Sequence, residues 1–248
     1  MSKIYITGSS DGLGKLAAEK LIQQGHEVFL HARNEKRVKD TKRSFGESAK
    51  IFMADLADLV EVKALATELN KLGKMDAIIH NAGVYQADAT TLLQVNVLAP
   101  FILTCLVQKP QRLIYLSSGM HKGGRPLFRE SDLKSVNYSD SKLMVTALAL
   151  AVAKKYPDVY SNAVDPGWVP TKMGGSNAPD SFDNGVDTQV WLAESISPSA
   201  LVSGKYWKFM EEREPHPASQ DHSYQEKLIS LCEKLTGVNF DSEYPAQS

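Results

Sequence analysis

Short apolar, β-branched runs alternate along this chain with longer stretches in which apolar residues return every three or four positions. That is the order expected of a parallel sheet wrapped by helices. The short runs predict strands at 3–6, 27–31, 50–53, 75–80, 112–116, 159–164 and about 205–209. Within the run at 75–80, Ala77, Ile78 and Ile79 are continuously apolar, as in a strand buried on both faces. Between the strands, Leu13, Leu16, Ala17 and Leu21 mark one helix face, and Val62, Leu65, Ala66, Leu69 and Leu72 mark another. A polar helix is expected from Asn34, a suitable N-cap, to about Phe45. A mostly apolar helix is expected over 91–106, kinked or restarted at Pro100. Leu143 to Ala153 is apolar on more than one face, so it calls for the sheet and also a partner subunit or a further layer. Helices near 187–194 and through Leu228, Leu231, Cys232 and Leu235 complete the pattern. The fold class read from it is α/β, a doubly wound parallel sheet of seven strands with helices on both faces, in a single domain over 1–248. Loops at 119–137 and 168–186 are expected to border a substrate site, and the 168–186 loop is expected to be mobile, as a lid or as plain surface. A C-terminal extension begins at about 210, and 239–248 is expected to fray.

Composition narrows the partners. A chain of 248 residues with 43% hydrophobic content can bury one large core. The formal net charge is −1 and the basic residues form no block, so nothing supports a nucleic-acid or membrane surface, and a small-molecule ligand is expected. Cys105 and Cys232 lie in apolar helical contexts, which suits buried free thiols in a reducing compartment, and no His or Cys grouping has metal-ligand spacing. The N-terminus runs directly into a strand and no run approaches 18 apolar residues, so the expected location is cytoplasmic, with no membrane span.

Candidate chemistry collects at the carboxyl ends of the strands. Thr7-Gly8-Ser9-Ser10-Asp11-Gly12-Leu13-Gly14 joins the first strand to a helix, where glycines let a pyrophosphate approach the N-terminal amides. Its spacing departs from G-x-G-x-x-G, and glycine turns also serve simply to reverse a chain. Arg33 ends the second strand, where a free ribose 2′-hydroxyl calls for a carboxylate and a 2′-phosphate for arginine. This favours NADP over NAD, with a solvated loop charge as the plain reading. Asp11 argues the other way unless it is turned aside. Asn81-Ala82-Gly83 closes the fourth strand, and Asn96 is a conspicuous amide within an apolar helix, either functional or satisfied by backbone. Ser117-Ser118 ends the fifth strand, and Tyr138 and Lys142 stand one helical turn apart. A fixed ammonium beside a phenol lowers its pKa and suits it to proton exchange with an alcohol or carbonyl, although such pairs also occur on plain helix surfaces.

Taken in order, these pieces resemble the short-chain dehydrogenase/reductase family over about residues 3–210. The glycine turn matches its T-G-x-x-x-G-x-G, Asn81-Ala82-Gly83 its N-A-G turn, and Pro166-Gly167 to Thr171 its P-G-x-x-x-T. The resemblance implies a Rossmann fold and an oxidoreductase acting on a carbonyl or alcohol. It implies catalysis by Asn96, Ser118, Tyr138 and Lys142, with Tyr138 as acid/base, Ser118 on the substrate oxygen and Asn96 anchoring a water, and with Ser117 as the alternative serine. It further implies NADP held by Gly8, Ser10, Gly12, Leu13, Gly14, Arg33, Asp55, Leu56, Asn81, Ala82, Gly83, Tyr138, Lys142, Pro166, Gly167, Val169 and Thr171. The helices carrying Asn96 and Tyr138 correspond to the family's dimer surface, so a homodimer or homotetramer is expected. The long Ser118–Tyr138 interval, His31-Ala32-Arg33-Asn34, Ser203 to Tyr206 and Lys234 to Gly237 resemble the retinol-dehydrogenase-like members. Trp168, Tyr85, Met120 and Met173 suggest an apolar substrate body. A nucleotide-sensing regulator without turnover is the other reading, and would have little need of the full catalytic set. Sugar-nucleotide epimerase chemistry with NAD is disfavoured by Arg33 and by the short C-terminal region.

Overall fold

The first apolar run, Lys3–Ile6, is β1, and its pairing on both sides organises the sheet. The computed structural model describes residues 1–241. β2 (Glu27–Ala32) and β3 (Ile51–Met53) extend the sheet to one side of β1; β4 (Ala77–His80), β5 (Arg112–Leu116), β6 (Tyr160–Asp165) and β7 (Tyr206–Lys208) extend it to the other. All these pairings are parallel, in the order β3-β2-β1-β4-β5-β6-β7. The direction of winding reverses between β1 and β4, and ligands of such sheets bind in the crevice at that switch point.

The eighth strand corrects the expectation of seven. β8 (Glu211–Glu212) pairs antiparallel with β7 after a turn in which Phe209 and Met210 both take positive φ. Two bulky residues in the left-handed region carry no glycine-type turn signal, so the hairpin was not legible locally.

Side chains alternate between two cores. Tyr5, Phe29, Ile78, Leu113 and Tyr115 face α3 (Leu59–Asn70), α5 (Ala99–Leu106) and α6 (Tyr138–Lys155). Ile4, Ile6, Leu30, Ile79 and Ile114 face α1 (Gly12–Gln23) and α7 (Phe182–Glu194). Burying each such side chain stabilises the fold by roughly 1.5–3 kcal/mol. Both cysteines are free and buried.

Four local expectations are refined. The segment Ala89–Leu106 is long and apolar enough by length and composition to cross a membrane, but 72% of it is buried inside this fold, as in a core helix. It restarts at Pro100, as expected: α4 (Ala89–Leu93) runs into a π turn, Gln94–Leu98, centred on Asn96, and Pro100 falls in the first turn of α5. Second, α7 starts at Phe182, within the expected 168–186 loop, because the Ser181 hydroxyl accepts the Asn184 N–H as an N-cap. Third, the further layer expected over the excess apolar surface of α6 comes from the same chain: every residue from Asp140 to Val152 is buried, with α8 (Pro217–Gln220) and α9 (His222–Thr236) packed against the helix. Fourth, Phe240 does not fray. It is buried, stacks on Tyr156 with ring centroids 5.4 Å apart, and its carbonyl accepts the Tyr156 hydroxyl at 2.7 Å. The rest of that tail, 242–248, lies outside the described residues.

Candidate active site

The glycine turn is shaped by close approach. Gly8 and Gly12 have φ of +66° and +55°, and a Cβ on Gly8 would stand 2.9 Å from the Cα of Ala82. Asn81 donates to the carbonyls of Thr7 at 2.9 Å and Gly8 at 3.3 Å, while the Ala82 N–H donates to the Thr7 hydroxyl at 3.0 Å. The N-A-G turn is thereby stitched to the glycine turn across the switch point. A third stitch comes from His31, whose Nδ1 accepts the Gly8 N–H at 3.0 Å and whose Nε2 meets the Ala54 carbonyl at 2.9 Å. An N–H can only donate and a carbonyl only accept, so the ring is the neutral Nε2–H tautomer. Burial accordingly holds its pKa down at about 4.

At the start of α1 the Asp11 carboxylate accepts the Gly12 N–H and the Asp11 carbonyl accepts that of Lys15. The amides of Leu13 and Gly14 have no acceptor in the chain among the described residues, which fits an anion at this helix end. Asp11 also pairs with Arg37 at 3.2 Å and with Lys172, so its charge is compensated and turned toward cations. Arg33 is exposed with no ion pair among the described residues. Asp55 caps its own turn by accepting the Ala57 N–H at 3.0 Å, and Leu56 is a core residue. The Pro166–Thr171 segment folds over the same region: Val169 is buried, and the Thr171 methyl lies 3.7 Å from where a Gly12 Cβ would be. In the loop beyond it, the Trp168 amide and indole N–H groups donate to Asp180 and to the Gly174 carbonyl, each at 2.7 Å. Ser10 is half-buried in the turn and makes no side-chain bond among the described residues.

Tyr138 is the first residue of α6, placed by a capping box in which Asn137 accepts the Asp140 N–H and Asp140 accepts the Asn137 N–H. Asp140 is buried and bound by the Arg125 guanidinium at 2.6 Å, which staples the preceding loop to the helix. The Ser118 side chain lies beside the Tyr138 phenol and acts to lower its pKa, while its hydroxyl accepts the Met120 N–H at 3.2 Å. Ser117 points the other way, its hydroxyl 2.6 Å from that of Thr146 in the core. Of the two adjacent serines, only Ser118 faces the tyrosine. Lys142 is buried, donates to the Leu116 carbonyl at 2.7 Å, and lies 5.6 Å from the Tyr138 ring centroid. A Cβ on Gly83 would stand 3.3 Å from Lys142 Nζ and 3.4 Å from Asn96 Oδ1, so ammonium and amide converge on that glycine. Asn96 is satisfied chiefly by backbone: it accepts the Val84 N–H at 2.9 Å and donates to the Val84 carbonyl at 3.0 Å and to the Ser141 hydroxyl at 2.9 Å.

Electrostatics here depart from the expectation that Lys142 lowers the Tyr138 pKa. Burial pushes the phenol up to about 12, helped by Asp165 and Tyr85 and opposed by the nearby Ser118 side chain. The ammonium lies beside the ring, and desolvation prevails. The same burial pulls Lys142 down to about 8, against the opposing pull of Asp165. The site therefore holds a protonated phenol at neutral pH and a buried ammonium with one bonded acceptor among the described residues, a donor set suited to sugar hydroxyls.

Sequence reasoning passed over several contributors. Asp165, at the end of β6, is buried, accepts the Gly167 N–H at 2.9 Å, and is one of the charges felt by both Tyr138 and Lys142. Arg37 and Lys172 stand beside the glycine turn, and a cation one helical turn after Arg33 was a signal within reach. His121 reads in the sequence as one polar residue in a polar loop, yet it is fully buried.

With this geometry in place, comparison with known proteins is informative. A family model described as short chain dehydrogenase matches residues 2–181. The chain is 37% identical to the short-chain dehydrogenase chyC of Penicillium rubens, over 96% of this chain and 98% of that one. It is 27% identical to human (Homo sapiens) retinol dehydrogenase 14, over 95% of this chain and 86% of the relative. Among solved structures, a short chain dehydrogenase from Shigella flexneri complexed with NADP superposes with a TM-score of 0.70 at 22% identity, covering 85% of this chain and 97% of that one.

Proposed function

The chain belongs to the short-chain dehydrogenase family and is an NAD(P)-dependent oxidoreductase, and on that premise we propose that it interconverts an apolar carbonyl compound and its alcohol with NADP, using Tyr138 as the acid/base. One observation carries the reading: Ser118, Tyr138 and Lys142, from two separate elements, converge beside the N-A-G turn at the carboxyl edge of the sheet. The glycine cradle with the unused amides of Leu13 and Gly14 supports a bound pyrophosphate, with Gly8, Ser10 and Gly12 forming its floor. Arg33, with Arg37 and Lys172 close to the turn, supports a 2′-phosphate, as does the NADP complex of the Shigella flexneri relative. Asp55 and Leu56 border the adenine side, Asn81–Gly83 and Lys142 the nicotinamide ribose, and Pro166 to Thr171 the nicotinamide.

When bound, the cofactor supplies or accepts hydride at the substrate carbon. Tyr138, protonated at neutral pH, gives its proton to the carbonyl oxygen in reduction and takes it back in oxidation. Ser118 donates to that oxygen as negative charge develops on it. Lys142 holds the ribose and, with a water anchored near Asn96, returns a proton to the tyrosine. Tyr85, Met120, Trp168 and Met173 are exposed on the loops after β4, β5 and β6, and Tyr85 meets the Tyr138 ring edge-on at 4.8 Å, which supports an apolar substrate body. The test is NADPH consumption across apolar aldehydes, ketones and quinones, with Tyr138→Phe beside the wild type. The variant is expected to lose about 10²- to 10⁴-fold in turnover while still binding NADPH. Equal turnover by both proteins would refute the assignment.

A further inference from the structure

His121 lies in the loop between β5 and α6, in the 3₁₀ turn Gly119–Gly123 whose N-cap is Ser118. Its side chain is fully buried, against the ring of Tyr206 with centroids 4.6 Å apart. Both ring nitrogens are used. Nδ1 lies 2.8 Å from the Ser118 carbonyl, and Nε2 accepts the backbone N–H of His216 at 2.9 Å. A carbonyl cannot donate and an amide N–H cannot accept, so Nδ1 carries the proton and Nε2 is bare.

The donor at His216 is itself rigid. It sits between Pro215 and Pro217, its carbonyl accepts the Ser219 N–H and hydroxyl at 2.9 and 2.6 Å, and its own Nδ1 accepts the Ala218 N–H at 3.1 Å. At the other end the Ser118 carbonyl takes a further bond from the His121 N–H at 3.0 Å, which locks the peptide from which the Ser118 side chain projects. Charged and titratable groups around the ring are Asp165, Lys122 and His216.

We propose that His121 is a positioning residue: Nδ1 holds the Ser118 peptide so that its hydroxyl meets Tyr138, and Nε2 anchors that arrangement to the rigid Pro215–His216–Pro217 segment. The proposal rests on the reading of Ser118 and Tyr138 given above and extends it by making the segment after β8 a support of the catalytic serine. A merely structural histidine would tie the C-terminal segment down without affecting the serine, and the two bonds can be separated.

His121→Asn puts an amide N–H where Nδ1 stands and keeps the Ser118 carbonyl. His121→Gln puts its amide where Nε2 stands and keeps only the His216 N–H. Tyrosine ¹³Cζ NMR of the full chain at neutral pH, with Tyr138 assigned by Tyr138→Phe, reads the approach of the Ser118 hydroxyl to the phenol without any substrate, and Ser118→Ala marks the position with that hydroxyl gone. The expected result is a Tyr138 resonance at the wild-type position in His121→Asn and at the Ser118→Ala position in His121→Gln. In NADPH-dependent reduction of 4-nitrobenzaldehyde, kcat should fall about 10- to 100-fold in His121→Gln and be rescued in His121→Asn, with KM for NADPH unchanged in both. The opposite order, or a Tyr138 resonance unmoved by His121→Gln, overturns the proposal, as does a resonance unmoved by Ser118→Ala. A wild type that consumes no NADPH, or a Tyr138→Phe as active as wild type, instead removes the functional reading, and the resonance still decides where His121 acts.

Discussion

Asn81 occupies the space that a side chain on Gly14 would need: a Cβ there would stand 2.3 Å from the Asn81 amide nitrogen and 2.6 Å from the Gly8 carbonyl. The third glycine of the turn is thus required by the N-A-G turn as much as by a ligand. Gly14→Ala should push Asn81 off the carbonyls of Thr7 and Gly8, cost about 1–3 kcal/mol of stability and weaken NADPH binding together. Thermal unfolding and a fluorescence titration with NADPH check both. A variant that melts and binds like wild type would show that the contact is not required.

The two serines at the end of β5 have opposite surroundings, so their alanine variants should fail differently. Ser118→Ala should lower kcat, because its hydroxyl lies beside the phenol, and also lose about 0.5–2 kcal/mol with the cap to the Met120 N–H. Ser117→Ala should keep kcat and lose about 0.5–1.5 kcal/mol, because it removes the buried bond to Thr146. Parallel kinetics and urea unfolding distinguish the two patterns.

Arg33 is exposed and uncommitted while Arg37 is held by Asp11. Arg33→Ala should weaken NADPH binding by about tenfold or more and leave NADH binding unchanged. Equal losses for the two cofactors would remove the 2′-phosphate assignment.

Lys142 gives cofactor binding a pH dependence of defined sign. Its pKa of about 8 lies below the ordinary lysine value, so above about pH 8 the free enzyme loses the ammonium that would meet the ribose. NADPH binding should therefore weaken as pH rises through 8, by up to about tenfold per pH unit. In Lys142→Met that slope should vanish. The same group binds a proton more readily in the unfolded chain between about pH 8 and 10.4, so its contribution to the stability of the cofactor-free protein rises with pH there.

Acid should act through two buried neutral histidines. Burial holds His31 at about 4 and His80 at about 3, both below the ordinary histidine value of 6.5. The unfolded chain binds their protons first, so stability is lost as pH falls below 6.5, by an amount on the order of 3 kcal/mol for His31 alone at pH 4. Guanidinium unfolding at stepwise lower pH should show this loss, and a smaller one in His80→Leu.

Much of the site was legible because its parts are local. Periodicity marked the strands, and the carboxyl end of each strand was where a glycine turn, an N-A-G turn, a serine pair or a proline-glycine turn stood. A one-turn spacing put Tyr138 and Lys142 on one face, and the segment from Pro166 to Thr171 could be read as a unit. Less legible were elements whose signals are weak or compete: the π turn at Asn96, the hairpin through Phe209 and Met210, and the early start of α7.

The sequence by itself determined the order of strands and helices, the family and the set of residues gathered at one sheet edge, because periodicity, capping and turn chemistry act over a few residues and parallel α/β winding leaves few topologies. Only the tertiary structure decided that Ser118 rather than Ser117 lies beside Tyr138, that burial outweighs Lys142 at the phenol, that the cover of α6 comes from α9 and Phe240 of the same chain, and that His121 joins the serine to His216. Each of these depends on which distant group removes water from a side chain or completes its hydrogen bonds, and neither desolvation nor a long-range bond leaves a mark in local spacing.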